Sequence, residues 1–277
     1  AFGSDGFTLG ANTGSNENNI TYVGWGWKAG TALNNSAGSN NGSIASTGSF
    51  STTAGFSIVK WSGSNSAGTI YTGLSGKIDF VILKNLSTTR NWIVKPKSFA
   101  ANDVLYLQTT GATVNAPGDG WINALTATNG TIGLVAGGSN TNPLKNVNEN
   151  NANYIAYCFQ EKKGYSKFSS YKGNGNADGT FIYTGFKPAF VFVKRTSGSE
   201  NWTIMDSARD PVNVAVNKLH PNTNGGTDAG ATIDILSNGF KNKTTNAGAN
   251  GSGDSYIYMA FAENPFVASN FNAATAR

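Results

Sequence analysis

Tyr154-Ile155-Ala156-Tyr157-Cys158-Phe159 is the stretch that decides the fold. Read alternately, it sets Ile155, Tyr157 and Phe159 on one face and Ala156 and Cys158 on the other. That is the period of two of a β-strand and not the 3.6 of a helix. The pattern recurs upstream as Tyr22-Val23-Gly24-Trp25-Gly26-Trp27 and downstream as Tyr256-Ile257-Tyr258-Met259-Ala260-Phe261. In each copy a Tyr leads and large apolar side chains line one face, as expected of a strand lying over a core. After the Tyr the other face is small everywhere except Tyr258, so another layer is expected to pack closely against it. Cys158 stands where the other copies carry Gly26 and Ala260. It therefore reads as a small buried hydrophobe, since a reactive thiol needs a cationic, partly exposed setting.

Working outward, each copy is preceded by a turn pair: Asp5-Gly6, Asn129-Gly130 and Asn238-Gly239. Such pairs favour tight turns. Turn, short apolar run, polar loop and strand together read as a hairpin. A further motif occurs twice, Gly68-Thr-Ile-Tyr-Thr-Gly-Leu74 and Gly179-Thr-Phe-Ile-Tyr-Thr-Gly-Phe186, each followed by an apolar run ending in Lys84 or Lys194. Asn91-Trp92 and Asn201-Trp202 follow those lysines at the same spacing of seven. Upstream, Phe56-Ser-Ile-Val-Lys-Trp61 matches Tyr165-Ser-Lys-Phe-Ser-Ser-Tyr171. Shared order and spacing over so long a stretch mark an internal repeat.

The expected layout is therefore three parts. Residues 1–54 hold the end of an incomplete repeat (1–30) and a Gly/Asn/Ser-rich linker or long loop (31–54). Residues 55–163 form one β-sandwich repeat. Residues 164–277 form a second, with 267–277 as a surface tail. A short helix is expected between Pro211 and Leu219. The opening Ala1-Phe2-Gly3-Ser4-Asp5-Gly6-Phe7 reads as the middle of a folded domain, so the chain is expected to be a fragment or a processed form, with residues 1–30 needing partner strands from outside it or from the neighbouring repeat.

Composition narrows the function classes. The 277 residues include 35 Gly and 36 Asn, with only 13% charged. Such a balance fits either turn-rich β structure or low complexity. Six Trp, ten Tyr and sixteen Phe are core material and argue for the folded alternative. One Cys and one His cannot build a zinc site and leave no internal disulfide. No run of about 18 apolar residues exists to span a membrane as a helix. The net charge of +5 is scattered and not clustered, unlike a nucleic-acid footprint.

Candidate chemistry is sparse. A His-based triad would have to use His220, and nothing around it in the sequence points to one. Asp206 and Asp210 flank Arg209, and the corresponding Lys95-Pro-Lys-Ser98 carries no acid, so an Asp–Arg structural pair is expected in place of two facing carboxylates. Asn174-Gly-Asn-Ala-Asp-Gly179 has the look of a loose cation loop, but only Asp178 offers charge; a plain turn is expected. Trp92, Trp202, Trp61 and Tyr171 suit either sugar stacking or the core, and their matched positions favour the core. The glycosylation signals at Asn19, Asn85 and Asn201 arise by composition in a chain this rich in Asn, Ser and Thr.

The run from Tyr154 to Phe186, together with Asn201-Trp202, Asp206-Ser-Ala-Arg-Asp-Pro211, Leu236-Ser-Asn-Gly-Phe240 and Tyr256-Ile-Tyr-Met-Ala-Phe-Ala-Glu-Asn-Pro-Phe266, resembles a C-terminal module repeated in tandem in marine tailed-phage virion proteins, which are tail-fibre-like. The resemblance covers nearly the whole chain. Pattern alone leads to an all-β sandwich; the resemblance implies tandem concanavalin A-like (laminin-G-like) or jelly-roll repeats. It also implies a non-catalytic virion protein, on a tail fibre or decorating a capsid, that presents loops to the host surface or to neighbouring subunits, itself included as a homo-oligomer. A carbohydrate-binding receptor-recognition module and a polysaccharide depolymerase are the alternatives. No catalytic residue, metal or cofactor is expected, ligand-binding residues are unassigned, and neither nucleic acid nor membrane insertion is expected.

Overall fold

The computed structural model describes residues 3, 6–115, 122–135 and 147–263. The Ser4-Asp5 opening, Asn264 to Phe266 and the expected tail 267–277 lie outside the described residues. Among those described, the chain is almost wholly β, and every strand ladder is antiparallel.

The first unit is built on β3 (Phe56–Ser62), β4 (Gly68–Tyr71), β5 (Phe80–Asn85), β6 (Ile93–Pro96), β7 (Asp103–Tyr106), β8 (Val114–Asn115), β9 (Thr131–Leu134) and β10 (Asn153–Phe159). Two earlier strands, β1 (Thr31–Asn35) and β2 (Ser46–Ser51), join it. Its large sheet runs β1-β2-β3-β10-β5-β6-β7-β8, and β4 pairs with β9 as a second small sheet. The second unit has β11 (Ser166–Lys172), β12 (Phe181–Tyr183), β13 (Pro188–Arg195), β14 (Thr203–Asp206), β15 (Ala215–Lys218), β16 (Asp228–Leu236), β17 (Gly239–Asn242) and β18 (Ser255–Ala262). These form the sheets β11-β18-β13-β14 and β12-β17-β16-β15.

Equivalent pairings hold the two units in the same register. Tyr154 stands opposite Trp61 on one side and Asn85 on the other; Tyr256 stands opposite Tyr171 and Arg195. Ile155 faces Lys84, and Ile257 faces Lys194. The stacked rings match as well: Trp61 on Tyr154 at 5.4 Å and 17°, Tyr171 on Tyr256 at 4.9 Å and 11°.

Three expectations need correction. Residues 31–54 are not a linker: Leu33 and Asn35 of one strand and Ser46 of the next are buried, and the two strands extend the sheet edge at β3. The segment Pro211–Leu219 holds no helix, because Asp210 binds the main-chain N–H groups of Val216 and Asn217 and turns the chain into β15. In the two complete units the run after the turn pair and the strand that follows are not a hairpin. β9 and β17 pair in one sheet of their unit while β10 and β18 pair in the other, so the polar loop between them crosses from one layer to the other. A four-residue helix, α1 (Thr13–Asn16), was not foreseen.

The alternating faces of the central strands divide the core into three. Tyr154, Ala156 and Cys158 turn inward against Leu33, Val59, Ile70 and Ile132 of their own unit. Tyr256, Tyr258 and Ala260 do the same with Ile182, Ile233 and Phe240. The small side chains let the second layer approach, as the sequence requires. The large faces do something else. Tyr157 and Phe159 of the first unit meet Ile257, Met259 and Phe261 of the second, joined by Trp25 and Trp27 from the N-terminal copy, in a seam shared by all three. The equivalent residues Trp27, Phe159 and Phe261 come together at its centre, with ring centroids 6.2, 5.3 and 5.9 Å apart pair by pair.

Each leading tyrosine ties its preceding loop to its strand. Tyr22, Tyr154 and Tyr256 each accept a hydrogen bond at the hydroxyl from the main-chain N–H five residues upstream, at 3.0, 2.8 and 2.8 Å. Three residues before each tyrosine, Asn19, Asn151 and Gly253 occupy the left-handed region with φ of 62°, 61° and 75°, where Asn and Gly are tolerated best.

Two lysines are fully buried. Lys95 Nζ donates to the carbonyls of Ala100, Ala101 (3.0 Å) and Asp103 (2.7 Å). Lys194 Nζ donates to those of Arg195 (2.6 Å) and Thr110 (3.1 Å). Burial pushes both ammonium groups down to about 8.

Two predictions follow from this packing. Phe261→Ala opens the seam at its centre and is expected to cost about 3–5 kcal/mol in urea unfolding, whereas Tyr183→Ala, at an exposed ring, should change stability by under about 0.5 kcal/mol. For the lysines, the unfolded chain binds more protons than the folded one between about pH 8 and the unfolded lysine range, so stability should rise with pH from 8 to 9. Above pH 9 the buried Cys158 thiol, held far above its usual range, opposes the rise. Lys95→Met, which installs the residue that Met205 supplies at the matching strand position, should roughly halve the slope; an unchanged slope in pH-dependent urea midpoints would reject the assignment.

Candidate functional site

The polar groups converge most closely at one end of the second unit. There the entry to β14 (Thr203), the end of β15 (Lys218), His220, β16 (Asp228, Thr232) and the loop 244–249 line a cleft of about 190 Å³, with Glu200 and Asn201 at its rim. His220 Nδ1 lies 2.8 Å from the Trp202 carbonyl. A carbonyl only accepts, so Nδ1 carries a proton and donates to it. Nε2 lies 3.4 Å from Asp228 Oδ2, and Lys218 Nζ lies 3.2 Å from the same oxygen. The hydrogen bond from Lys218, then that from His220, holds the Asp228 carboxyl below the usual carboxylate range.

This arrangement differs from a nucleophile–base pair. In a triad the carboxylate orients one ring nitrogen and the other faces a hydroxyl. Here one nitrogen is taken by the main chain and the other faces the carboxylate, and among the described residues no hydroxyl bonds either. The cleft instead offers hydroxyl, amide, carboxylate and ammonium groups around a small volume. Such a set can hold a polar ligand by several hydrogen bonds.

The other sequence-level candidates resolve into structure. Asp206 is buried and binds Arg209 through both oxygens, Oδ2 to Nε at 2.7 Å and Oδ1 to the main-chain N–H at 2.9 Å. Asp210 accepts from Val216 N, Asn217 N and Asn217 Nδ2 at 2.7–3.1 Å. The expected Asp–Arg pair is therefore present, and each acid is engaged by its own neighbourhood. In the 174–179 loop, Asn176 N and Asp178 N donate to the side chains two residues before them, and Asp178 pairs with Lys241 at the surface, as a plain turn does. Among the described residues no cluster of three or more His, Cys, Asp or Glu side chains has metal-binding geometry.

Of the aromatics, Trp202 is buried in the seam, while Trp61 and Tyr171 stack inside their own units. Trp92 is the exception. It lines an open cleft of about 630 Å³ with Leu86, Ile155 and Tyr157, and Lys84 Nζ lies 5.9 Å from its ring centre. Of the glycosylation signals, Asn85 is buried and accepts from the N–H groups of Ser87 and Thr88, and Asn201 accepts from Asn222 Nδ2.

Two features escaped the sequence reading. Asn148 and Asn250, each six residues before its tyrosine, are buried clamps. Asn148 Oδ1 accepts from Ser64 N at 2.9 Å and its Nδ2 donates to Ser66 O at 2.7 Å; Asn250 Oδ1 accepts from Asn174 N at 3.0 Å and its Nδ2 donates to Asn176 O at 2.8 Å. The common offset from the tyrosine is visible in the aligned repeat and would have singled them out from the other asparagines. The pairing of His220 with Asp228 has no such signal, because it has no counterpart elsewhere in the chain.

Among solved structures, the crystal structure of the STIV MCP is similar at 11% identity, over 85% of this chain and 92% of that one, with a TM-score of 0.21, too low to carry an argument about fold or function. No curated protein matches the chain. The family model described as a domain of unknown function (DUF7483) matches residues 1–265, and the chain belongs to that family.

Proposed function

We propose that the protein is a non-catalytic structural and adhesive component of a virion, tail-fibre-like or capsid-decorating, made of tandem concanavalin-like β-sandwich units. Its partners are other virion subunits, copies of itself among them, and its polar loops meet the host surface. The observation that carries this reading is the seam. Two β units present the large faces of their central strands to each other, lock through Phe159 and Phe261, and turn their second layers and loops outward. A rigid frame with outward loops is suited to contact, since the loops can vary while the frame stays. The engagement of Asp206 and Asp210 by their own neighbourhoods, and of His220 Nδ1 by the Trp202 carbonyl, support a non-catalytic role.

A second reading rests on the cleft at His220. Its hydroxyl and amide groups beside Asp228 suit a sugar, which would make the second unit a carbohydrate-binding receptor-recognition module. Immunogold labelling of intact particles is expected to place the protein on the outside of a tail or capsid, and its absence from purified particles would reject the virion assignment. In titration calorimetry with host surface polysaccharide, any binding through the cleft should weaken at least about tenfold in Asp228→Ala, about 1.4 kcal/mol. Binding that survives the substitution would move recognition elsewhere. Release of reducing ends from the same polysaccharide would instead establish a depolymerase.

A further inference from the structure

The seam has a threefold logic. Trp27, Phe159 and Phe261 are equivalent residues of three equivalent strands, and they meet at one point. Around two of them stands a complete unit. In each, the central strand is paired on both edges: β10 by β3 and β5, β18 by β11 and β13. The third strand, residues 22–29, has the same alternation. Val23, Trp25, Trp27 and Ala29 are half-buried, the last three against the seam, and Tyr22, Gly24, Gly26 and Lys28 are exposed. None of residues 20–30 takes part in a strand ladder. Among the described residues neither edge is paired, and the small face that in β10 and β18 lies against the unit's second layer is exposed. Tyr22 itself is 48% exposed, where Tyr154 and Tyr256 are fully buried.

The loop before this strand is nevertheless made as in the second unit. Asn12 Oδ1 accepts from Gly14 N at 2.7 Å, as Asn246 Oδ1 does from Gly248 N at 2.6 Å. Tyr22 Oη donates to the carbonyl nine residues upstream at 2.9 Å, as Tyr256 Oη does at 2.5 Å. Asn16 Nδ2 donates to the carbonyl six residues upstream, Gly10 O, at 2.9 Å, as Asn250 Nδ2 does to Thr244 O at 2.8 Å. Asn250 and Asn148 also grip the loop that follows the first strand of their unit. Asn16 occupies the same place, exposed, with that grip unused.

The contact between the complete units shows what fits there. The second unit sits on residues 106–110 of the first: Trp202 Nε1 donates to Tyr106 O at 3.1 Å, Lys194 Nζ to Thr110 O at 3.1 Å and Glu200 N to Thr110 O at 2.9 Å. In the first unit the equivalents of Trp202 and Lys194 are Trp92 and Lys84. Both line the open cleft of about 630 Å³, together with the exposed Leu86.

We propose that residues 7–29 are the closing loop and central strand of a third unit of the same fold. Its remaining strands pair both edges of residues 22–29, and its counterpart of 106–110 seats on Trp92 and Lys84, closing a ring of three units around Trp27, Phe159 and Phe261. In both complete units the flanking strands precede the central one in sequence. Backbone pairing supplies the affinity and the small face of Gly24 and Gly26 the selectivity for a layer that packs as closely as it does in the other units.

Hydrogen–deuterium exchange on the 277-residue chain tests this. Alone, amides 23–28 should exchange far faster than those of β10 and β18. A synthetic peptide of residues 166–176, the strand and loop that take the equivalent edge in the second unit, should slow them at least tenfold at millimolar concentration. Asn16→Ala should abolish most of that protection while leaving exchange in β10 and β18 unchanged. Slow exchange of 23–28 in the dilute monomer, or no protection by the peptide, would each overturn the proposal. So would protection that appears only with rising protein concentration and dimer formation in sedimentation, which would make the occupant a second copy.

Discussion

The structure depends on the contact among Trp27, Phe159 and Phe261. A β-sandwich ordinarily spends its largest side chains on its own interior. Here the central strand of each unit gives its small face to the interior and its large face to a neighbour. Burial of an aromatic side chain contributes roughly 1.5–3 kcal/mol, and the edge-on arrangement of Trp27 over Phe190 and Phe261 adds the preference of aromatic pairs for tilted geometry. The joint between units is therefore as apolar as their cores, which sets it apart from the more polar contact of loosely tethered domains. Rigidity of the whole follows from that allocation.

The same allocation explains the buried lysines. Lys194 lies at the border between units, where its ammonium shares the Thr110 carbonyl with the main-chain N–H of Glu200. Lys95 does comparable service for the turn at 100–103. A cation is costly to bury, yet an unpaired carbonyl is costly too, and a lysine whose proton is easily lost can meet the need with reduced charge. Both ammonium groups are held by main-chain carbonyls.

Much of this was legible in the sequence, and the reasons differ by residue. The alternation at Tyr154 to Phe159 identified the strand, its two faces and the role of Cys158, because period-two patterning is a local property. The matched Asn91-Trp92 and Asn201-Trp202 are held alike: Trp92 N donates to Gln108 and Trp202 N to Asn222, at 3.0 and 2.9 Å. The pattern could not say that the large face serves a neighbour, since burial within a unit and burial between units ask for the same side chains. Strands β1 and β2 escaped because β1 carries a single large apolar residue, Leu33, and Ser, Thr and Gly dominate β2; their pairing builds on the adjacent edge of β3. The cleft at His220 escaped because its residues lie far apart in the chain and have no repeated counterpart to align.

The tyrosine anchor carries one more consequence. The bond from each tyrosine hydroxyl to the amide five residues upstream closes the base of the polar loop onto the strand it feeds. What lies upstream of that bond in the two complete units is a stretch of loop that enters from the other layer. Lengthening it costs only about 0.6 kcal/mol for each doubling, and no strand register moves when it grows. The three loops differ in length, with 135–153 longer than 10–19 and 242–254, and yet their strands arrive at the same point in the seam. A scaffold of this kind can accept insertions and sequence drift in its most exposed segments without renegotiating its core.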